Sequence, residues 1–556
     1  MKKKKILLII LLVCLILILP GAVYYKIQLY KLAYINTYFH LLNEDYITKN
    51  QNKIDILKYD LSFDLYPEKK MFIAKAILTG EVKDTTIQSI DLNFYDNFKI
   101  NRITLNDNLT DYDNEGTRLS IPFNPAMGTS FKIEVQYEGT PKKAGLDGFV
   151  FGNRNGQSLV YNLSEPNYAS SWFPCNDIPF DKTLLDISIT NDSNAVSVSN
   201  GVLVDVANNG SRRTYHWRTM YPISSYLIAV YSADYKKFSD QSVSLNGKDT
   251  MKVEYYVLPD KLEDAKKDFS DQVKTIGFFS RTFGEYPFIK EKYGIAEFLW
   301  YPGAMEHQTI TGVSSYMIDG KKFYEDTYVH ELAHQWWGDA VSPKIWKDIW
   351  LNEGFATYSE ALYYESLTGK RALHSTMMSK YSKKFAGTLS DPGSFLFTRT
   401  VYDKGAWVLH MLRWEVGDTS FFNILRTYYD TFKYSNATTK DFQDVCEKVS
   451  GKNLDKFFEQ WIKGEGEIEL EYQTTIENSE SGYSIKIELQ QVQDEYEEYH
   501  FPLQIKLAFA DSSENSYRYD ITTKDTVLEI STNKYPEDIE LDPDNWLLTT
   551  INQKEE

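Results

Sequence analysis

The chain contains 556 residues, of which 42% are hydrophobic and 15% aromatic, a composition typical of a folded protein and not of a disordered one. Its net charge of -18 and its pI near 5.1 would repel a polyanion, so we expect no binding to nucleic acid. A chain of this length exceeds the usual size of one hydrophobic core, which predicts several domains.

The first 25 residues predict a membrane anchor. Four lysines, Lys2 to Lys5, precede residues 6–25, which carry no charge. As a helix this uncharged run would rise about 30 Å, which matches the hydrocarbon core of a bilayer. The lysines predict a cytoplasmic N-terminus and an extracytoplasmic body, hence a single-pass protein of the cell membrane that contacts the lipid bilayer through this helix. The alternative is a cleaved signal peptide and a secreted protein.

Hydrophobic periodicity divides the remaining chain into three regions after a stalk at 26–51. Alternating apolar residues predict a β domain at 52–257; the first such run is Leu57, Tyr59, Leu61, Phe63 and Leu65. Helical spacing prevails over 258–465. Alternation returns over 466–556, where we expect a small β-sandwich. The predicted fold class is therefore multidomain α+β.

Three helices are predicted near the middle of the chain. The first has apolar residues at i, i+3, i+4 and i+7, namely Val329, Leu332, Ala333 and Trp336, and Gly338 follows as a helix-ending residue. The second is expected from about residue 353 to 369, and the third from about 403 to 417.

Cysteine is rare, with residues only at Cys14, Cys175 and Cys446. Three cysteines cannot form a framework of several disulfides. The sequence leaves open whether a single bridge forms.

The segment HELAH, residues 330–334, places His330 and His334 four positions apart. In a helix such residues point the same way, so both imidazoles can bind one metal ion. Catalytic zinc needs three protein ligands and one open position for water. Two histidines on a polar helix face, with no metal, are the alternative.

The longer segment HELAHQWWGDAVSPKIWKDIWLNEGFATY resembles the zinc-binding region of the aminopeptidase N family of gluzincin zinc peptidases. The resemblance implies one Zn²⁺ per chain held by His330, His334 and Glu353, with Glu331 as the general base. Zinc with these ligands keeps positive charge, which lowers the pKa of water from near 16 to about 7. Glu331 can then take the proton of that water and pass it to the leaving amine.

The resemblance covers about residues 52–548. It implies a saddle-like N-terminal β-sheet domain, a thermolysin-like α/β catalytic domain at 258–465 and a small C-terminal β-sandwich, all preceded by the transmembrane helix. Many relatives add a large helical C-terminal domain, whereas this chain ends at Glu556. We therefore expect a short, bacterial-type form with a more open cleft.

Two segments resemble the parts of the family that bind the free amine of a substrate. FLWYPGAMEHQTI contains the exopeptidase signature, whose residues are Gly303, Ala304, Met305 and Glu306. The resemblance assigns Glu306 to the α-ammonium of the substrate, and His307 stands where the family usually has Asn. In SEPNYASSWFPCNDIPFDK it assigns Glu165 to the same ammonium, and Leu163 replaces a common Gln.

The segment TRTVYDKGAWVL resembles the family segment whose tyrosine stabilises the tetrahedral intermediate, which assigns that role to Tyr402. The function expected is a zinc aminopeptidase that hydrolyses the N-terminal peptide bond of peptides with a free N-terminus. One alternative is a thermolysin-type zinc endopeptidase, which would need neither Glu306 nor Glu165. The other is a catalytically silent surface binding protein on the same fold.

Overall fold

The computed structural model describes residues 50–301, 303–383, 385–393, 396–480 and 482–554. The predicted transmembrane helix and nearly all of the predicted stalk lie outside these ranges. Within them, no helix is both long enough and apolar enough to cross a membrane.

The first part of the described chain consists of β-strands. They are β1 Ile54–Tyr66, β2 Met71–Val82, β3 Ser89–Asn93, β4 Lys99–Leu105, β5 Asn108–Leu109, β6 Asp113–Glu115, β7 Arg118–Pro122, β8 Ser130–Gly139, β9 Lys143–Ala144, β10 Asp147–Arg154, β11 Gln157–Leu163, β12 Leu184–Asp192, β13 Val196–Val198, β14 Val202–Asn209, β15 Arg212–Arg218, β16 Tyr231–Ala233, β17 Lys236–Val243 and β18 Thr250–Val257.

Three sheets of this region pack around one core. The largest has eight strands in the order β14-β15-β12-β1-β2-β8-β4-β5, and smaller sheets have the orders β13-β16-β11-β10-β9 and β3-β7-β6. In β1 the alternating residues from Tyr59 to Leu65 are buried as predicted. The prediction for Leu57 is wrong: a register shift between Ile56 and Lys58 buries Ile56 and leaves Leu57 exposed.

The second part contains the helices and a five-stranded sheet. The strands of this part are β19 Lys292–Phe298, β20 Ala304–Met305 and β21 Thr311–Ser314, which join β17 and β18 in that sheet, and β22 Val341–Pro343 and β23 Ser435–Ala437, which pair with each other. Its helices are α1 Leu262–Asp268, α2 Gln272–Phe283, α3 Glu325–Ala333, α4 Trp350–Thr368, α5 Lys370–Ser379, α6 Gly405–Val416, α7 Asp418–Phe432, α8 Thr439–Ser450 and α9 Asp455–Phe458. The π-helical segment Thr400–Lys404 precedes α6, and a second one, Glu459–Lys463, follows α9.

The five-stranded sheet has the order β17-β18-β19-β21-β20, so β20 lies at its edge. The predicted boundary between 257 and 258 falls within this sheet, because β18 pairs in parallel with β19. Alternation reveals that β17 and β18 are strands, but it carries no information on which sheet they join.

The last part consists of β24 Ile468–Ser479, β25 Gly482–Gln491, β26 Phe501–Phe509, β27 Glu514–Ile521, β28 Asp525–Thr532, β29 Pro536–Leu541 and β30 Thr549–Gln553. They form one sheet in the order β28-β25-β24-β30 and another in the order β27-β26-β29. Apolar residues of β25 and β26 belong to one buried core, as expected for a small β-sandwich. Cys175 and Cys446 are buried free thiols, so the possible bridge between them does not form.

Candidate metal centre and catalytic cleft

His330, His334 and Glu353 bring three ligand atoms together. The two imidazole Nε2 atoms lie 3.0 Å apart, and each lies 3.3 Å from Glu353 Oε2. Zinc bonds of about 2.0 to 2.2 Å in tetrahedral geometry need ligand atoms roughly 3.3 Å apart. The triangle therefore fits one zinc ion, and its two imidazoles and one carboxylate are a donor set of catalytic zinc sites.

The helices explain why these atoms converge. His330 lies in the last turn of α3, and His334 follows that helix directly with a helical backbone, so both side chains point the same way. Glu353 lies in the first turn of α4, and its buried side chain faces the histidines. Burial alone would raise the pKa of Glu353, but the two imidazoles outweigh burial and lower it to about 2.

The outer nitrogens of both imidazoles have partners that orient the rings. His330 Nδ1 lies 2.8 Å from Glu360 Oε1, and His334 Nδ1 lies 2.9 Å from the carbonyl oxygen of Trp337. Since each acceptor takes an Nδ1 proton, the lone pair of each Nε2 faces the metal position. Lys380 Nζ lies 2.8 Å from Glu360 Oε2, and the hydrogen bond to His330 together with the charge of Lys380 outweighs burial and lowers the pKa of Glu360.

Glu360→Gln is expected to weaken zinc binding by about 10- to 100-fold, because the neutral amide replaces the charged carboxylate that accepts the Nδ1 proton of His330. Titration of the metal-free protein with zinc against a competing chelator measures the dissociation constant. Glu365→Gln, five residues further along α4 and paired with Arg413, is the matched control. Equal zinc affinity in the Glu360 variant and the parent would contradict this assignment.

Glu331 lies beside the ligands and is available for proton transfer. It is buried, and its Oε2 atom has no hydrogen-bond partner among the described residues. Burial and the nearby charge of Glu306 raise the pKa of Glu331 to about 8, whereas a bound cation would act in the opposite direction. An unpartnered carboxylate at this position is suited to accept a proton from water.

A second cluster places three carboxylates at one point. Oxygen atoms of Glu165, Glu306 and Glu353 all lie within 4.8 Å of one another, and all three residues are buried. Glu165 Oε1 and Glu306 Oε1 have no hydrogen-bond partner among the described residues. Burial raises the pKa of both, and the charge of Glu306 raises that of Glu165 further. Such a cluster is stabilised by a cation that donates hydrogen bonds.

The segment Gly303 to Glu306 runs past this cluster. Ala304 and Met305 form β20, which pairs with β21 and lies at the edge of the sheet. A Cβ atom at Gly303 would lie 1.9 Å from the ring of Trp300, so only glycine fits there. The signature residues thus lie at the edge of the sheet next to the carboxylates.

His307 and Leu163, the two departures from the family pattern, are internal. His307 is fully buried, its Nδ1 lies 2.6 Å from the hydroxyl of Tyr231, and its Nε2 lies 3.5 Å from Asn162 Nδ2. Burial lowers the pKa of His307 to about 3, so it is neutral. Leu163 belongs to the buried core and offers no polar contact.

Tyr402 reaches the metal centre through a close helix crossing. Its ring stacks on that of His330 with centroids 5.9 Å apart. Tyr402 belongs to the π-helical segment before α6, and this segment packs against α4. A Cβ at Gly354 would lie 2.9 Å from the backbone of Gly405, so the two glycines permit the approach of α4 and α6.

Three of these contributors were not predicted from the sequence. Glu360 lies seven residues after Glu353, a spacing that places both on one face of α4 and that could have revealed it. Gln335 donates to the carbonyl oxygen of Glu306 at 3.3 Å and accepts from Thr309 N at 2.8 Å, so it joins the Glu306 segment to the turn that follows α3. Nothing in the sequence around Lys380 indicates that it contacts Glu360.

Two family models match the chain. Residues 56–227 match the model described as Peptidase M1 N-terminal domain, and residues 268–461 match the one described as Peptidase family M1 domain. The first range contains Glu165, and the second contains Glu306, the metal centre and Tyr402.

Curated relatives are aminopeptidases. Probable aminopeptidase 2 of Sulfurisphaera tokodaii is 27% identical over 358 residues, which are 60% of this chain and 45% of that protein. Endoplasmic reticulum aminopeptidase 1 of Homo sapiens is 27% identical over 365 residues, which are 60% of this chain and 38% of that protein. The chain thus spans less than half the length of these relatives.

Solved structures share the fold. The M1 zinc metallopeptidase of Deinococcus radiodurans matches with a TM-score of 0.66 and 24% identity, over 74% of this chain and 94% of that one. Aminopeptidase A of Legionella pneumophila, in complex with aspartic acid, matches with a TM-score of 0.79 and 20% identity, over 92% of this chain and 61% of that one. At these identities the likeness is one of fold.

Proposed function

Because the chain belongs to peptidase family M1, we propose that it is a zinc aminopeptidase that hydrolyses the first peptide bond of peptides with a free N-terminus. The observation that carries this proposal is that oxygen atoms of Glu165 and Glu306 lie within 4.8 Å of one another and of an oxygen of the metal ligand Glu353. Peptide hydrolysis alone requires the metal ligands and a base. Two further buried carboxylates are explained by a substrate that brings its own positive charge.

Each residue of the site has a separate role in the proposed reaction. Zinc in a site of this kind acts as a Lewis acid and makes water nucleophilic at neutral pH. Glu306 and Glu165 hold the α-ammonium, which positions the first carbonyl at the metal centre. Glu331 accepts a proton from the attacking water and returns it to the leaving amine. The hydroxyl of Tyr402 donates a hydrogen bond to the carbonyl oxygen as its negative charge develops.

Named relatives support the substrate class. The curated matches are called aminopeptidases. A structure of the Deinococcus metallopeptidase that matches this chain with a TM-score of 0.65 and 23% identity contains a bound Tyr-Ser-Ala substrate. Those descriptions concern the other proteins. In this chain, specificity for a free N-terminus is supported by the carboxylate cluster.

A free-amine peptide and its N-acetylated form distinguish the proposed activity from endopeptidase activity. We expect hydrolysis of the free-amine peptide one residue at a time, loss of activity on dialysis against a chelator and recovery with zinc. The acetylated peptide should not be cleaved. Equal rates on both would indicate a thermolysin-type endopeptidase, and stoichiometric zinc without any hydrolysis would indicate a binding protein.

Glu306→Gln is expected to lower kcat/KM for the free-amine peptide by about 10- to 150-fold. A charge-assisted hydrogen bond to the ammonium contributes about 1.5 to 3 kcal/mol, which converts to that factor. Steady-state kinetics measure the loss, and zinc content should remain at one ion per chain. Unchanged kcat/KM would contradict the role of Glu306 as the ammonium ligand.

We also propose that the protein is anchored in the cell membrane with its catalytic body outside the cytoplasm. Support comes from the lysines at the start of the chain and from the uncharged run at 6–25. Fractionation of cells tests the anchor, since a protein recovered in the soluble fraction or the medium would contradict it.

A further inference from the structure

Four aromatic side chains form an exposed cluster, the aromatic patch, whose members are Tyr301, Tyr316, Phe323 and Tyr324. The rings of Tyr301 and Tyr316 have centroids 5.1 Å apart, those of Tyr316 and Tyr324 are 5.7 Å apart, and those of Phe323 and Tyr324 are 5.0 Å apart. Tyr301 is 65% exposed, Tyr316 56% and Phe323 75%. Contiguous exposed aromatic surface of this kind marks a binding surface.

The patch is built by the segments that frame the catalytic cleft. Tyr301 precedes the signature strand β20, Tyr316 follows its partner β21, and Phe323 and Tyr324 precede the metal-binding helix α3. The next residues of α3, Asp326 and Thr327, line an open cavity of about 390 Å³ together with His330 and Tyr402. The first turn of α3 thus has the patch residues Phe323 and Tyr324 directly before it and cavity-lining residues within it.

Burial fixes the direction in which a bound peptide leaves the cleft. Its ammonium is held at Glu306, and the residues that follow, His307, Gln308 and Thr309, are fully buried and close that end. In the opposite direction the edge strand β20 is preceded by Tyr301, which is exposed. An extended peptide must therefore run antiparallel to β20, towards the patch.

Strand geometry sets the distance. Tyr301 lies five residues before Glu306, so at about 3.4 Å per residue the two lie at most roughly 17 Å apart along the chain. A substrate whose first residue sits at Glu306 covers that length with its first five or so residues. The ring surface is thus beside the fourth to the sixth residue of a peptide.

We propose that the aromatic patch binds apolar or aromatic side chains at the fourth to sixth positions of peptide substrates. The inference rests on the proposed aminopeptidase function and deepens it, because it names the substrate class as peptides of at least about five residues with apolar side chains beyond the third. Single aminoacyl compounds do not reach the patch.

Two hexapeptides with the same first three residues test the proposal on the full-length protein. One carries Phe and Leu at positions four to six, and the other carries Ser and Gly. We expect a kcat/KM about 2- to 13-fold higher for the apolar peptide, since an aromatic contact contributes about 0.5 to 1.5 kcal/mol. The double variant Tyr301→Ala/Phe323→Ala should remove that preference and leave hydrolysis of an aminoacyl arylamide unchanged.

Tyr535→Ala, at a residue that is 55% exposed in the turn between β28 and β29, is the matched control and should keep the preference. Equal rates for the two peptides, or equal losses on peptide and arylamide in the double variant, would overturn the proposal. So would a patch variant that changes only the sedimentation behaviour, which would assign the surface to a second copy of this chain.

Calorimetric binding of both peptides to Glu331→Gln protein separates this proposal from the proposed function. If the parent hydrolyses no aminoacyl compound, the aminopeptidase proposal fails. Tighter binding of the apolar peptide, lost in the patch variant, would still support the patch, and equal binding would overturn it.

Discussion

Glu331→Gln is expected to lower kcat by about 10²- to 10⁴-fold while one zinc ion per chain remains bound. Glutamine has the size of glutamate and cannot accept the proton of the attacking water. Because the ligand atoms come from His330, His334 and Glu353, the substitution leaves the metal triangle complete. Loss should therefore appear in kcat, with a smaller change in KM.

The measurement combines steady-state kinetics on a free-amine peptide with metal analysis of the same preparation. Glu325→Gln is the matched control, since Glu325 begins the same helix and lies away from the ligands. The control should retain parental turnover. A Glu331 variant that keeps more than a tenth of the activity, or that loses its zinc, would contradict the role of Glu331 as the base.

The metal centre is the part of the site that the sequence could predict most directly. His330 and His334 are neighbours on one helix face, so local geometry places them together. Glu353 needed the resemblance to a known family, because no local rule says where a second helix returns. The helix predicted from 353 to 369 is confirmed as α4, from Trp350 to Thr368.

The parts that could not be predicted depend on long-range packing. The approach of Gly354 to Gly405 brings Tyr402 to the metal centre, and neither glycine differs locally from others in the chain. The π-helical segment was not predicted either. The helix predicted from 403 to 417 contains α6, but it does not include the π-helical turn that begins at Thr400. The aromatic patch joins three separate segments, so it exists only in the fold.

The bulge in β1 shows a similar limit at the scale of one strand. A period of two assigns faces correctly until one residue is inserted, and then every earlier residue changes face. Leu57 is exposed for this reason, whereas Tyr59 to Leu65 follow the prediction. Register, sheet membership and helix crossing are set by the whole chain.

Tyr402→Phe is expected to lower kcat by about 10²- to 10³-fold, the usual effect of removing one donor to a developing oxyanion. The stacking of its ring on His330 is retained in phenylalanine, so zinc content and folding should not change. Burial, with the charges of Glu353 and Glu165, raises the pKa of Tyr402 well above its usual value. The phenol therefore stays protonated at neutral pH and acts as a donor.

Kinetics of Tyr402→Phe and of Tyr364→Phe, a partly buried tyrosine on α4, check this expectation. Because the hydrogen bond forms as charge develops, kcat should fall while KM changes little. A rise in KM at constant kcat would show instead that Tyr402 binds the ground state. If turnover persists within about threefold of the parent, the oxyanion must be stabilised by another group, since one lost donor costs far more than that.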